Sequence, residues 1–156
     1  MHDKEIQYFT EGLSLAKDEF YLDAIHKFNM LIDEYSSSDL TDDALYNIGL
    51  CYFKMKQIEQ SIETFNQVIA NYPNASISAL DNGNEFGKTA AKAFYSIVNC
   101  YLCSNNIKEA EEVIPLLKPY NENTYVVVEG IRITYQELAQ QLVSKYKELV
   151  KNNKLK

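Results

Sequence analysis

The sequence predicts an all-α protein: a stack of three helical hairpins with a C-terminal capping helix. Three observations carry this. Residues 44–73, ALYNIGLCYFKMKQIEQSIETFNQVIANYP, hold two apolar patterns of helical period. Leu45, Ile48, Tyr52 and Met55 form the first, and Ile58, Ile62, Phe65 and Ile69 the second. The two halves break near residues 56–57 and close at Pro73. Each is too short to hold alone, because isolated helices under about 12–15 residues are marginal in water. Laid antiparallel they bury each other's stripe and still leave an apolar flank that calls for neighbours of the same kind.

The second observation is recurrence. Gly12, Leu15, Tyr21, Ala24, Phe28 and Leu31 stand 37 residues before Gly49, Tyr52, Ile58, Ser61, Phe65 and Val68. Downstream, Val98, Tyr101, Ile107, Ala110, Ile114 and Leu117 stand 49 residues after the same set. The third observation is Gly49 in mid-helix. Glycine there costs about 1 kcal/mol against alanine, so its presence points to a helix crossing too close for a Cβ. Val98 in the equivalent place suggests a wider crossing in the third unit.

This spacing of glycine, tyrosine, small residue, phenylalanine and proline resembles the tetratricopeptide repeat, a helix-turn-helix unit of about 34 residues. The opening around Tyr46-Asn47-Ile48-Gly49 and the close at Tyr72-Pro73 look most like bacterial envelope members of the Tol-Pal-associated and outer-membrane-assembly type. Ser61 and Lys56 stand where that family usually has alanine and a turn glycine, departures that weaken the unit slightly.

One domain of 156 residues is expected, with repeats over about 3–36, 40–73 and 89–118. A chain of this length buries about two-thirds of its extended-chain surface. A net charge of −7 disfavours nucleic acid and anionic lipid surfaces, both of which would repel it. No apolar run approaches the ~20 residues that span a bilayer. The first residues lack a basic flank and an apolar core, so the expectation is cytoplasmic, or periplasmic if a leader was removed. Three cysteines cannot all pair within the chain, which favours a reducing compartment.

In order, helix is expected over residues 3–17 and 22–35, followed by the polar linker SSSDLTDD, in which Asp39 or Thr41 can cap the next helix. The central unit follows. Residues 74–88 then interrupt the repeat with Asn-Gly, serine and a second glycine. Loops of this length are functional or mobile, and the insert reads as a mobile or partly helical connector, with a binding loop as the other reading. In the third unit Pro115 should kink or shorten the second helix. Residues 124–134, TYVVVEGIRIT, read as a β-hairpin around Glu129-Gly130. The rival reading continues helix from Val126 with Gly130 as another repeat glycine. Thr134 and Glu137 match a capping box. The last helix carries Leu138, Leu142, Tyr146 and Leu149 in a stripe, and the segment 124–152 should cap the stack.

Little points to chemistry. His2 lies at the terminus and His26 on a helix between Ile25 and Lys27. Cys100 and Cys103 have metal-pair spacing, but zinc takes four ligands and Cys51 is the one other thiol. Cys51 and Cys100 hold the same repeat position and read as packing residues. Glu109, Glu111 and Glu112 read as solvated. No phosphate loop, G-x-S-x-G or H-E-x-x-H occurs. No catalytic residue, metal or cofactor is expected, and the protein is expected not to be an enzyme.

The resemblance implies a right-handed superhelical stack in which the first helix of each unit lines a concave face. Projected onto this chain it implies Phe9 and Leu13 from the first unit, Tyr46, Asn47, Leu50 and Phe53 from the second, and Lys92, Tyr95, Asn99 and Leu102 from the third. Asparagine can bond both edges of an extended backbone, and aromatics anchor at low entropic cost. The carboxylate clamp of the family is matched only at Asn47 and Lys92, with Phe9, Leu13 and Ser96 at its other places, so chaperone-tail binding is not expected. The function expected is an adaptor or assembly factor that binds a peptide or helix of a partner protein in this groove. Two alternatives stand beside it: an acidic regulator or immunity-like protein covering a basic target, and a groove filled by the chain's own C-terminal helix or by a second copy in a homodimer.

Overall fold

The computed structural model describes residues 3–80 and 83–152, so His2 lies outside the described residues. Helices α1 (Asp3–Lys17) and α2 (Tyr21–Glu34) form the first hairpin, α3 (Thr41–Lys54) and α4 (Ile58–Asn71) the second. After strand β1 (Glu85–Phe86), helix α5 (Thr89–Cys103) pairs with α6 (Ile107–Val113), which passes into a 3-10 segment (Ile114–Tyr120). Strands β2 (Tyr125–Val128) and β3 (Ile131–Thr134) precede α7 (Tyr135–Lys151). None of the described helices is long and apolar enough to cross a membrane.

The glycines of the repeat make room for phenylalanine. A Cβ built on Gly12 would lie 2.5 Å from the Phe28 ring, and one on Gly49 2.6 Å from the Phe65 ring. Both rings are completely buried. In the third unit the same space is shared differently: Val98 replaces the glycine, and Ile114 stands where a phenylalanine would be. Ser61 in place of alanine is no flaw in packing. Its hydroxyl donates to the Gly49 carbonyl at 2.8 Å. Cys51 and Cys100 are both buried, and Cys100 Sγ lies 3.5 Å from Ser61 Oγ.

Burial pushes both thiols up from about 9 to about 11. The unfolded chain therefore releases these protons first, and stability should fall as pH rises above about 9. Denaturant midpoints between pH 8 and 11 check this. The Cys51→Ala/Cys100→Ala variant should show a shallower decline, and an unchanged slope would contradict it.

The turn after each first helix places a non-glycine residue in the left-handed region: Glu19 at φ 66°, Lys56 at 64° and Asn105 at 59°. These are equivalent repeat positions, and an L side chain there costs about 1–2 kcal/mol. Lys56→Gly and Glu19→Gly should each stabilise the protein by about 1 kcal/mol in urea melts. A loss of stability in both would show that the side chains hold the turn by contacts of their own.

Two local expectations are corrected. Neither Asp39 nor Thr41 caps α3: Leu40 is at the N-cap without a side-chain bond, and the Thr41 hydroxyl donates back to the Ser38 carbonyl at 2.9 Å. Over its described residues the insert is not helical. It supplies β1, which pairs antiparallel with β2, Glu85 opposite Val126, to make a three-stranded sheet in the order β1-β2-β3. The acidic start of α3 pins this segment. Ser78 N donates to Asp43 Oδ1 at 3.0 Å, and the Thr89 hydroxyl donates to Asp42 Oδ2 at 2.5 Å. Burial raises the Asp42 carboxyl, opposed by the Thr89 bond and nearby backbone donors. Gly87, at φ 113°, lets the chain pass against Thr124: a Cβ there would sit 2.3 Å from its hydroxyl.

The hairpin forms around Glu129 and Gly130, both with positive φ (51° and 79°), the requirement of a tight two-residue turn. Pro115 ends regular α-helix as expected, since α6 stops at Val113 and 3-10 geometry takes over. The Thr134–Glu137 capping box starts α7. Leu138, Leu142 and Tyr146 pack against the last unit, whereas Gln140, Gln141, Ser144, Lys145 and Glu148 face outward and exposed. That polar outer face is what closes a helical stack.

Candidate interaction surface

The ten projected residues do not form one open strip. Phe9 is fully buried and its ring packs 5.9 Å from Phe28, so it belongs to the core of the first hairpin. Leu102 is likewise buried, among the residues under α7. These two are corrections: helical projection assigned a face, but the neighbouring helix covers that edge of it.

Tyr46 and Lys92 are corrections of a different kind. They are buried in a polar cluster that closes the face between the second and third units. The Tyr46 hydroxyl and Ser96 Oγ are 2.7 Å apart. Lys92 Nζ sits 4.5 Å from the centre of the Tyr46 ring and 3.0 Å from the Glu85 carboxylate. The other oxygen of that carboxylate accepts from the Tyr135 hydroxyl at 2.5 Å. Tyr95, half-buried, packs its ring 5.7 Å from Tyr135. Burial, and then the Glu85 charge, push the Tyr135 phenol far up, so it remains a proton donor. Glu85 comes from β1 and Tyr135 from the first turn of α7, so the insert and the cap together fill this half of the face. Phe53 and Asn99 are half-buried.

Between the first and second units the face is open. Leu13, Ala16 and Lys17 of α1, Tyr21 of α2, and Asn47, Leu50, Cys51 and Lys54 of α3 line a depression of about 330 Å³. Leu13 and Leu50 are half-buried, with apolar atoms available at its floor. Asn47 is itself buried, and its amide donates to the Asp43 carbonyl one turn back at 2.8 Å. No residue of α7 reaches this depression.

Glu85, Tyr135, Lys17 and Lys54 were not among the projected residues. The lysines carried a signal, since they stand at the same position of successive repeats, 37 residues apart. Glu85 and Tyr135 carried none, because they enter from outside the repeats. His26, Glu109, Glu111 and Glu112 are exposed, and Glu111 pairs with Lys147 at 2.7 Å on the surface.

Residues 43–75 match the family model of the tetratricopeptide repeat. A search of curated proteins by sequence found no match. Among solved structures, the Yersinia enterocolitica type III secretion chaperone SycD, in complex with a peptide of the translocator YopD, superposes with a TM-score of 0.61 at 17% identity. The likeness covers 99% of this chain and 98% of that one. The Saccharomyces cerevisiae Hsp90 co-chaperone Cns1 gives 0.64 at 13% identity, over 98% of this chain and 42% of Cns1. The TPR2AB domain of yeast Sti1, in its pHSP90 complex, gives 0.65 at 15% identity, over 96% and 48%. The chain thus spans less than half the length of the two yeast structures. At these identities the likeness is one of fold: residues 43–75 match the tetratricopeptide repeat model, and the chain as a whole shares the stacked helical hairpins of these structures.

Proposed function

We propose that this protein is a non-enzymatic interaction module that takes a peptide or helix of a partner protein in the depression between α1 and α3, and so acts as an adaptor or assembly factor. One observation carries the proposal. The same concave face that Glu85 and Tyr135 close between the second and third units is left uncovered between the first and second, with Leu13 and Leu50 half-exposed. Apolar side chains held on rigid helices favour binding because little entropy is lost on contact. The peptide and protein complexes of the structural neighbours support the same reading by analogy of fold. Self-occlusion is the second reading, and it applies to the closed half alone.

Panning random twelve-residue peptides on the full chain tests the proposal. Selected peptides should lose at least tenfold in affinity for Leu50→Glu and keep it for Gln141→Glu on the outer face of α7. Failure to select any binder, or equal binding by both variants, would remove the proposal.

A further inference from the structure

The open half of the face differs in charge from the rest of the molecule. The chain carries 22 acidic residues against 15 lysines and arginines. Yet the depression between α1 and α3 is lined by Lys17 and Lys54 and by no carboxylate. Both lysines are exposed, and neither is in an ion pair with any described residue. The contrast with Lys92 is direct: that lysine, deeper on the same face, already holds the Glu85 carboxylate at 3.0 Å.

The placement is periodic. Leu13 and Lys17 are four residues apart on α1, and Leu50 and Lys54 four apart on α3, at equivalent positions of the two repeats. Residues at i and i+4 lie on one helix face. Helices α1 and α3 therefore each present a leucine and, one turn on, a lysine. The third unit breaks the series, with Asn99 and Cys103 at those positions. The pattern therefore ends where the insert closes the face.

From this pairing, and resting on the reading of the depression as a docking site, we infer that the partner segment is acidic and amphipathic: an extended stretch with one apolar anchor flanked by two carboxylates. The anchor seats between Leu13 and Leu50, and the carboxylates meet Lys17 and Lys54. In an extended chain, residues i, i+2 and i+4 share a face and span about 13 Å. Helices α1 and α3 both pack on α2 and touch each other only lightly, and the long lysine side chains make up the remainder of the span. A carboxylate set against a lysine at the edge of an apolar floor gives register as well as attraction.

Lysines in the last turn also suit the helix dipole, and a role confined to that would be indifferent to the charge of a ligand. The test separates the two. Three twelve-residue peptides are titrated into the full chain and followed by amide chemical shifts. Each has a central leucine with serine and glycine elsewhere. Glutamate, glutamine or lysine stands two residues to either side of the leucine.

The glutamate peptide should bind at least tenfold more tightly than the glutamine peptide, with shifts centred on α1 and α3, and weaken as salt rises. In Lys17→Glu/Lys54→Glu the order should invert, the lysine peptide binding best; circular dichroism confirms that the variant is folded. If glutamate and glutamine peptides bind equally and both depend on Leu50, the docking site stands and the charge inference falls. If the lysine peptide binds the unaltered chain best, the inference falls in favour of a basic partner. If none binds at millimolar concentration, the inference falls together with the docking site.

Discussion

Phe65→Ala is expected to lower the unfolding free energy by about 3–5 kcal/mol. The ring is completely buried, packs 5.2 Å from the Tyr46 ring, and has its edge against the backbone at Gly49. Deleting it leaves a space that nothing nearby can fill, because Gly49 has no side chain to move and the Ser61 hydroxyl holds the Gly49 carbonyl in place. Against a domain stability of about 5–15 kcal/mol, such a loss is large. The converse change, Gly49→Ala, forces a methyl to within 2.6 Å of the ring, and overpacking of this kind costs about 1–3 kcal/mol. The pair should be coupled. Gly49→Ala/Phe65→Leu should be more stable than the sum of its single changes predicts, because it moves toward the valine and isoleucine of the third unit. Urea denaturation followed by circular dichroism measures the unaltered chain and the four variants Phe65→Ala, Gly49→Ala, Phe65→Leu and Gly49→Ala/Phe65→Leu. A cost below about 1 kcal/mol for Phe65→Ala, or strict additivity in the double variant, would mean that the two helices are not interlocked here.

Lys92→Met should cost about 3–5 kcal/mol, because it strands a buried carboxylate. Glu85 and Lys92 keep only 11% and 7% of their side-chain surface, so water cannot replace the lost cation. The Tyr135 hydroxyl remains as one donor to Glu85, which is less than an ionised carboxylate out of water needs. The cheapest relief is for β1 to leave the face. Hydrogen exchange should then quicken at the Val127 amide, which donates to the Asn84 carbonyl at 2.9 Å, and at the Ile77 amide, bonded to Gly87 at 2.8 Å. Helices α1 and α2 should exchange as before. Adding Glu85→Leu to Lys92→Met should recover most of the loss, since an apolar pair of similar size removes the stranded charge. If Lys92→Met unfolds at the same urea concentration as the unaltered chain, the cluster is not what closes this half of the face.

What could be read from the residues alone was whatever a short stretch of chain determines. The repeat spacing set by Gly12, Gly49, Phe28 and Phe65, the kink at Pro115, the turn at Glu129-Gly130 and the capping box at Thr134 each depend on contacts within one hairpin or one turn. Period and turn chemistry are sufficient there. Helical projection also placed Leu13, Asn47 and Leu50 on one face, and they do share a depression, although Asn47 is buried there. It failed for Phe9, Leu102, Tyr46 and Lys92 because a face is not a surface: whether a residue on it meets water depends on what else arrives.

What arrives comes from far along the chain. Tyr135 reaches Glu85 across 50 residues, Ser96 reaches Tyr46 across 50, and Asp43 holds Ser78 across 35. No periodicity links such pairs, and β1 is two residues long, below any pattern a sequence can show. The amino-acid order by itself determined that three helical pairs would stack, since each leaves an apolar flank that only another like it can bury. The tertiary structure alone decided which part of the concave face stays open, because the Glu85 carboxylate is tolerable there only with the Lys92 cation and the Tyr135 hydroxyl converging on it, and that convergence exists only once the chain has folded.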